Sequence, residues 1–208
     1  MIAPIEERAE RERAYARHIA HELKTPLAVV QSDLELARAM PDEVTERIDS
    51  VMSEVAAMSS LVDDLLLLSV GESGIVKQAV DIAQITAELI EKSGNGIQWD
   101  IIKEGAAFVD ADPRLLQTLL KNLIANVRAH AIPDTPVVVR FDAQGFSFEN
   151  RAENIPDSVK KQVFDPFIGT PGKGSGIGLS LVKRIADLHS WQVAFEAKKG
   201  NVRISVRF

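Results

Sequence analysis

The apolar positions of the first 70 residues recur at helical spacing. Between residues 6 and 40, Ile19, Leu23, Leu27, Val30, Leu34 and Ala37 follow at intervals of four and three, the seam of a helix packing in coiled-coil fashion. After Met40-Pro41 the pattern resumes with Val44, Ile48, Val51, Val55, Met58, Val62 and Leu65. Asp42 and Glu43 stand where a new helix favours negative charge. Two long antiparallel helices with a short turn are predicted. Two helices cover only one stripe of each other, so a second copy should complete a dimeric four-helix bundle. The pattern stops at Gly71-Glu72-Ser73-Gly74, which reads as a linker.

Beyond it, helices and strands alternate. Helices are predicted over 82–92, 113–131 and 176–189, and strands over 97–103, 106–109, 136–141, 146–149, 191–197 and 202–208. A loop with a short helix is expected over 157–175. Short turns between neighbouring strands favour an antiparallel or mixed sheet with helices on one face. The fold class is therefore α+β: a helical hairpin over residues 1–72, followed by an α/β sandwich over 76–208. No internal repeat is visible.

Composition narrows the picture only a little. The 208 residues are 46% hydrophobic and 26% charged, ordinary for a globular protein. A formal charge of −6 argues against a general nucleic-acid binder. With no cysteine, disulfides and thiolate metal sites are excluded. The richest apolar run, Leu61 to Val70, is broken by Asp63 and Asp64 and is too short to span a bilayer. The start has no secretory signal and runs straight into a charged helix, as a fragment cut from a longer protein would.

Candidate chemistry begins at His21. Two residues separate it from both Ile19 and Leu23, which turns it roughly 200° from each and out of the seam. Glu22 follows it, and Thr25 shares a face with Glu22. A carboxylate beside an imidazole can accept one ring proton and sharpen the other nitrogen as a nucleophile. Pro26 removes a backbone hydrogen bond and can bend the helix just past that point. Alone, this is equally an ordinary surface histidine. Asn122 and Asn126 lie four apart on one face of the 113–131 helix, and an amide oxygen suits Mg²⁺. By themselves they could be two solvent-facing polar residues. Gly172-Lys173-Gly174-Ser175-Gly176-Ile177-Gly178 precedes an apolar-periodic helix, where bare backbone and free N–H groups can cradle phosphates.

Together these segments resemble the sensor histidine kinases of two-component systems, a resemblance covering nearly the whole chain. His21-Glu22-Leu23-Lys24-Thr25-Pro26 is similar to the phospho-acceptor box, and Asn122-Leu123-Ile124-Ala125-Asn126 to the N box of the GHKL ATPase fold. The glycines leading into Leu179-Ser180-Leu181-Val182-Lys183-Arg184-Ile185 resemble the G2 box, and Phe164-Asp165-Pro166-Phe167 the F box. The resemblance implies ATP and Mg²⁺ as cofactors, with Asn126 as metal ligand. Asn122 stands where hydrolysing relatives carry a glutamate base, and an amide cannot take a proton from water. Lys173, Gly174, Gly176, Gly178 and Leu179 are implied on the nucleotide, with His130 near the phosphates. Glu22 and Thr25 resemble the pair that positions water for dephosphorylating a partner. The implied partners are a second copy and a response regulator, and the implied parent is a membrane-anchored sensor.

The sequence departs from the family at the G1 box. Asn150-Arg151-Ala152-Glu153-Asn154 replaces Asp-x-Gly-x-Gly, so Asn150 takes the place of the aspartate that accepts from the adenine amino group. An asparagine carbonyl can still accept, without the charge. The frequent lysine seven residues after Asn122 is Ala129, with Arg128 beside it. His18 lies one turn before His21 but lacks the following carboxylate. The expected function is autophosphorylation of His21 from ATP and transfer to a response-regulator aspartate. The alternatives are a degenerate regulatory scaffold or phosphatase-dominant dimer and, third, a simple ATPase.

Overall fold

The computed structural model describes residues 3–69, 75–94, 96–105, 107–169 and 175–208. They fall into two compact units, Met1–Leu67 and Leu68–Phe208. The proposed linker glycines at 71 and 74 lie outside the described residues, as do Lys173 and Gly174.

In the first unit α1 (Ala3–Ala39) is joined to α2 (Val44–Ser69) by a 3-10 turn at Pro41–Glu43. Pro41 has no N–H to continue α1, which stops just before it. Pro26 does not break α1, which is assigned as continuous helix through it. The apolar seam is wet in a single chain: Leu27 and Leu34 are both 48% exposed, and Ile48, Val55 and Val62 are also exposed. The one buried residue among the described hairpin positions is a carboxylate, Asp33. It accepts from Ser50 Oγ at 2.6 Å and from Arg47 Nη1 at 3.2 Å, and Arg47 Nη2 reaches Glu43 at 2.8 Å. Such a charged crosslink sets which residues of α1 and α2 lie opposite each other. Asp33→Ala removes two hydrogen bonds to a charged group, a loss of about 2 kcal/mol. The expected result is amide exchange about 30-fold faster across this end of the hairpin. Unchanged exchange shows that the crosslink does not hold it.

The second unit is a mixed sheet backed by helices. Its elements are β1 (Gln78–Asp81), α3 (Ile82–Lys92), β2 (Trp99–Lys103), β3 (Phe108–Ala111), α4 (Pro113–His130), β4 (Val137–Asp142), β5 (Gly145–Arg151), α5 (Asp157–Lys160), α6 (Gly178–Leu188), β6 (Gln192–Lys198) and β7 (Asn201–Arg207). The main sheet runs β2-β4-β5-β7-β6, with β2 and β4 parallel and the other pairs antiparallel. β1 and β3 form a separate antiparallel pair. Alternation on the strands and a helical stripe meet in the core. Val137, Val139 and Phe141 of β4 and Val202, Ile204 and Val206 of β7 are buried, as are Leu116, Leu119, Leu120, Leu123, Ile124 and Val127 of α4.

The α+β architecture and the mixed sheet agree with the sequence reading, while several boundaries move. β1 is new, because Val80 is its only buried residue and no alternation marks it. β5 extends through Arg151, so Asn150 lies in a strand paired with Val202. α6 starts at Gly178 rather than at 176. Gly176 has φ +71 and its carbonyl accepts from the Phe167 N–H at 2.9 Å, which makes it part of a turn.

Candidate functional site

The N box and the glycines meet directly. Asp112 caps α4 by accepting from the N–H groups of Arg114 and Leu115, and Pro113 occupies the first turn where no N–H is needed. The apolar stripe of α4 faces the core, leaving Asn122 and Asn126 half-buried at its margin. Asn122 Nδ2 donates to the Thr118 carbonyl at 2.9 Å, which fixes the direction of its Oδ1. A Cβ on Gly178 would lie 2.8 Å from that oxygen, so a side chain there would push the Asn122 carboxamide aside. Ile177 gives the start of α6 no side-chain cap, so among the described residues its leading N–H groups are left for another acceptor. Leu179 follows Gly178 in that turn and is half-buried.

The far end of α4 meets the end of β5. Ala131 bridges Ala152, and the Ile132 N–H donates to the Arg151 carbonyl at 2.9 Å. His130, the last residue of α4, therefore stands near the segment that carries Asn150. Asn150 is buried and its Nδ2 donates to the Arg151 carbonyl at 3.0 Å, leaving Oδ1 as its remaining acceptor. Among the described residues the Asn126 carboxamide makes no hydrogen bond, so its oxygen is available as a hard ligand and fits a magnesium ion. Arg128 does not replace the missing lysine. Its guanidinium donates to Gly94 O at 3.1 Å and Ser93 Oγ at 3.4 Å, which ties α4 to the end of α3.

In the hairpin His21 is exposed on α1, as its position off the seam predicts. Glu22 is half-buried beside it, and Thr25 Oγ1 donates back to the His21 carbonyl at 3.3 Å.

One functional candidate escaped the sequence reading. His189, at the C-terminus of α6, is buried; its Nε2 accepts the Asp112 N–H at 3.0 Å and its Nδ1 lies 2.8 Å from the Ile185 carbonyl. Its spacing of four from Ile185 on an apolar face was the available signal. Burial lowers its pKa, and the Lys77 charge acts in the same direction, against the Ile185 carbonyl, Asp112 and Asp110. The Arg114 side chain, ahead of three backbone N–H groups, holds the Asp112 carboxyl down to about 2. Both shifts have one consequence. The unfolded chain takes up a proton at His189 below about 6.5 that the folded chain resists, so stability falls as pH drops through that value. The Asp112 contribution is complete above 3.8 and fades toward 2. The melting temperature should decline from about pH 8 to about pH 5, and His189→Gln, which cannot titrate, should flatten that slope. An equal slope in the variant assigns the effect elsewhere.

A glycine-led helix held against paired asparagines, over a mixed sheet, defines an ATPase-type nucleotide unit. The helix pair preceding it presents an exposed histidine. Residues 11–74 match the His Kinase A (phospho-acceptor) domain, and residues 111–208 match the Histidine kinase-, DNA gyrase B-, and HSP90-like ATPase family. The chain is 29% identical to Sensor protein QseC of Salmonella typhi over 95% of its own length and 48% of that protein's. It spans about half the length of the curated relatives it matches. Its fold superposes on the Acinetobacter baumannii histidine kinase AdeS with a TM-score of 0.71 at 20% identity, covering 90% of this chain and 96% of that one. It also superposes on the histidine kinase ThkA, solved in complex with the response regulator TrrA, with a TM-score of 0.69 at 19% identity, covering 99% and 65%. The chain belongs to the sensor histidine kinases of two-component systems.

Proposed function

We propose that this chain transfers the γ-phosphoryl group of ATP to His21 and then to an aspartate of a response regulator. The observation that carries this reading is the contact between Gly178 and Asn122, which sets the uncapped start of α6 against the N box. Phosphates would lie on those N–H groups, and Asn150 Oδ1 would accept from the adenine amino group. Asn126 would hold Mg²⁺, which when bound neutralises charge on the phosphates. The lone pair of one His21 ring nitrogen forms a bond to the γ-phosphorus as the bond to the β,γ-bridging oxygen breaks and ADP leaves. Glu22 accepts the proton from the other ring nitrogen. The P–N bond then breaks as an aspartate oxygen of the regulator bonds to phosphorus.

Residues 1–72 serve as the dimerisation and acceptor hairpin, and 76–208 as the ATP-binding unit. The exposed seam at Leu27, Leu34, Val55 and Val62 supports a homodimer, since a second hairpin would remove it from water. The reading places the chain in the cytoplasm, where ATP and the regulator are found, as part of a longer membrane-anchored sensor. Among the described residues no helix is long and apolar enough to cross a membrane.

The altered G1 box favours a second reading, a regulatory or phosphatase-dominant dimer acting through Glu22 and Thr25. Asn150 brings no charge to the base, and buried Ala152 stands in place of a glycine. Calorimetry with an ATP analogue and Mg²⁺ separates the two: micromolar binding supports the kinase, and no binding at millimolar supports the scaffold. Incubation with γ-labelled ATP should give label that survives alkali and is lost in acid, as a P–N bond requires. Acid-stable label, or none, overturns the kinase reading.

A further inference from the structure

The buried carboxylate that caps α4 also holds the chain arriving from the hairpin. Asp112 Oδ1 serves the N–H groups of Arg114 and Leu115, while Oδ2 accepts the Val76 N–H at 3.1 Å. Arg114 closes over both oxygens at 3.3 and 3.1 Å. Val76 lies two residues before β1, in the first described stretch after the linker. Asp112 is 1% exposed, while Val76 and the Arg114 side chain that cover it face solvent, so the carboxylate is the buried centre of a junction with a wet rim.

The backbone of the same residue is used as well. Its N–H donates to His189 Nε2, and the Ile185 carbonyl takes the Nδ1 proton, which fixes the tautomer that leaves Nε2 free to accept. His189 is stacked on Trp191, ring centroids 4.5 Å apart. The α6 terminus is closed by bonds from Ser190 N–H to Asp187 O and from Trp191 N–H to Ala186 O, with Ser190 at φ +63. The imidazole is thus a fixed post at one end of α6. The other end of α6 is Gly178, set against Asn122 of α4.

We propose that Asp112 and His189 are positioning residues for phosphoryl transfer, joining the chain at Val76 to the two helices that carry the nucleotide site. Among the described residues neither is hydrogen-bonded to Asn122 or Asn126. His189 holds the α6 terminus to the start of α4 and so sets how far Gly178 slides along Asn122. Asp112 makes docking of Val76 and capping of α4 one event. A displacement of about 1 Å in such a site costs up to about 100-fold in rate. The proposal rests on the kinase reading above and assigns that site its supporting residues.

The test uses the full chain. His189→Leu leaves the Asp112 N–H unpaired and should lower kcat for labelling about 10-fold, with KM for ATP changed less than about twofold. His189→Gln carries an oxygen able to accept that N–H and should recover most of kcat. In Asp112→Asn the remaining oxygen is claimed by the two α4 N–H groups, so an amide nitrogen faces Val76. Amide exchange should then accelerate at Val76 while Arg114 and Leu115 stay protected, and kcat should fall. If His189→Leu does not fold, the Asp112→Asn comparison decides by itself. A wild-type chain that incorporates no label removes the kinase reading and this proposal with it. A wild-type chain that labels, with variants that label equally fast or a Val76 amide unchanged in Asp112→Asn, removes this proposal alone.

Discussion

Replacing His21 with glutamine is expected to cut ATP-dependent labelling at least ~10³-fold while nucleotide binding stays within about twofold. Glutamine keeps the helix propensity of an exposed α1 position but has no nitrogen lone pair that can attack phosphorus. Binding should persist because Asn122, Asn126, Asn150 and Gly178 all belong to the second unit. His18 is also exposed on α1, but no carboxylate follows it to take up a ring proton. Quantifying bound label and calorimetric affinity on the same preparation checks both halves. Labelling that survives in the variant moves the acceptor away from His21.

Asn126→Ala should lower labelling at subsaturating Mg²⁺ by on the order of 100-fold, about 2.7 kcal/mol of lost charge neutralisation. The substitution is structurally mild. Among the described residues the carboxamide makes no hydrogen bond, and alanine is the best helix former at an interior position. A magnesium titration is the discriminating measurement. Activity restored at high metal concentration marks Asn126 as a ligand, whereas the same loss at every concentration assigns it a different role.

Much of this site is visible in the sequence because its parts are short and local. Asn122 and Asn126 need only helical periodicity to share a face, and the seam from Ile19 to Ala37 needs only its own spacing. What resisted reading depends on distant pairing. β1 exists through its partnership with β3, and Asn150 is placed in a strand by β7, some fifty residues away. The helical pattern runs two residues ahead of α6 because Gly176, at φ +71, is held in a turn by the Phe167 N–H on its carbonyl. A histidine on an apolar helical face, such as His189, ordinarily reads as a packing residue. Its partner, the Asp112 N–H, lies 77 positions earlier, and no local pattern encodes that separation.

The near-absence of dry interior among the described hairpin residues has a consequence for the proposed dimer. A solitary α1–α2 pair buries little with which to offset the entropy of ordering two long rods, so on that reading its folding is coupled to meeting a twin. Gene dosage would then become an input of its own, because dilution would fray the helix that carries His21.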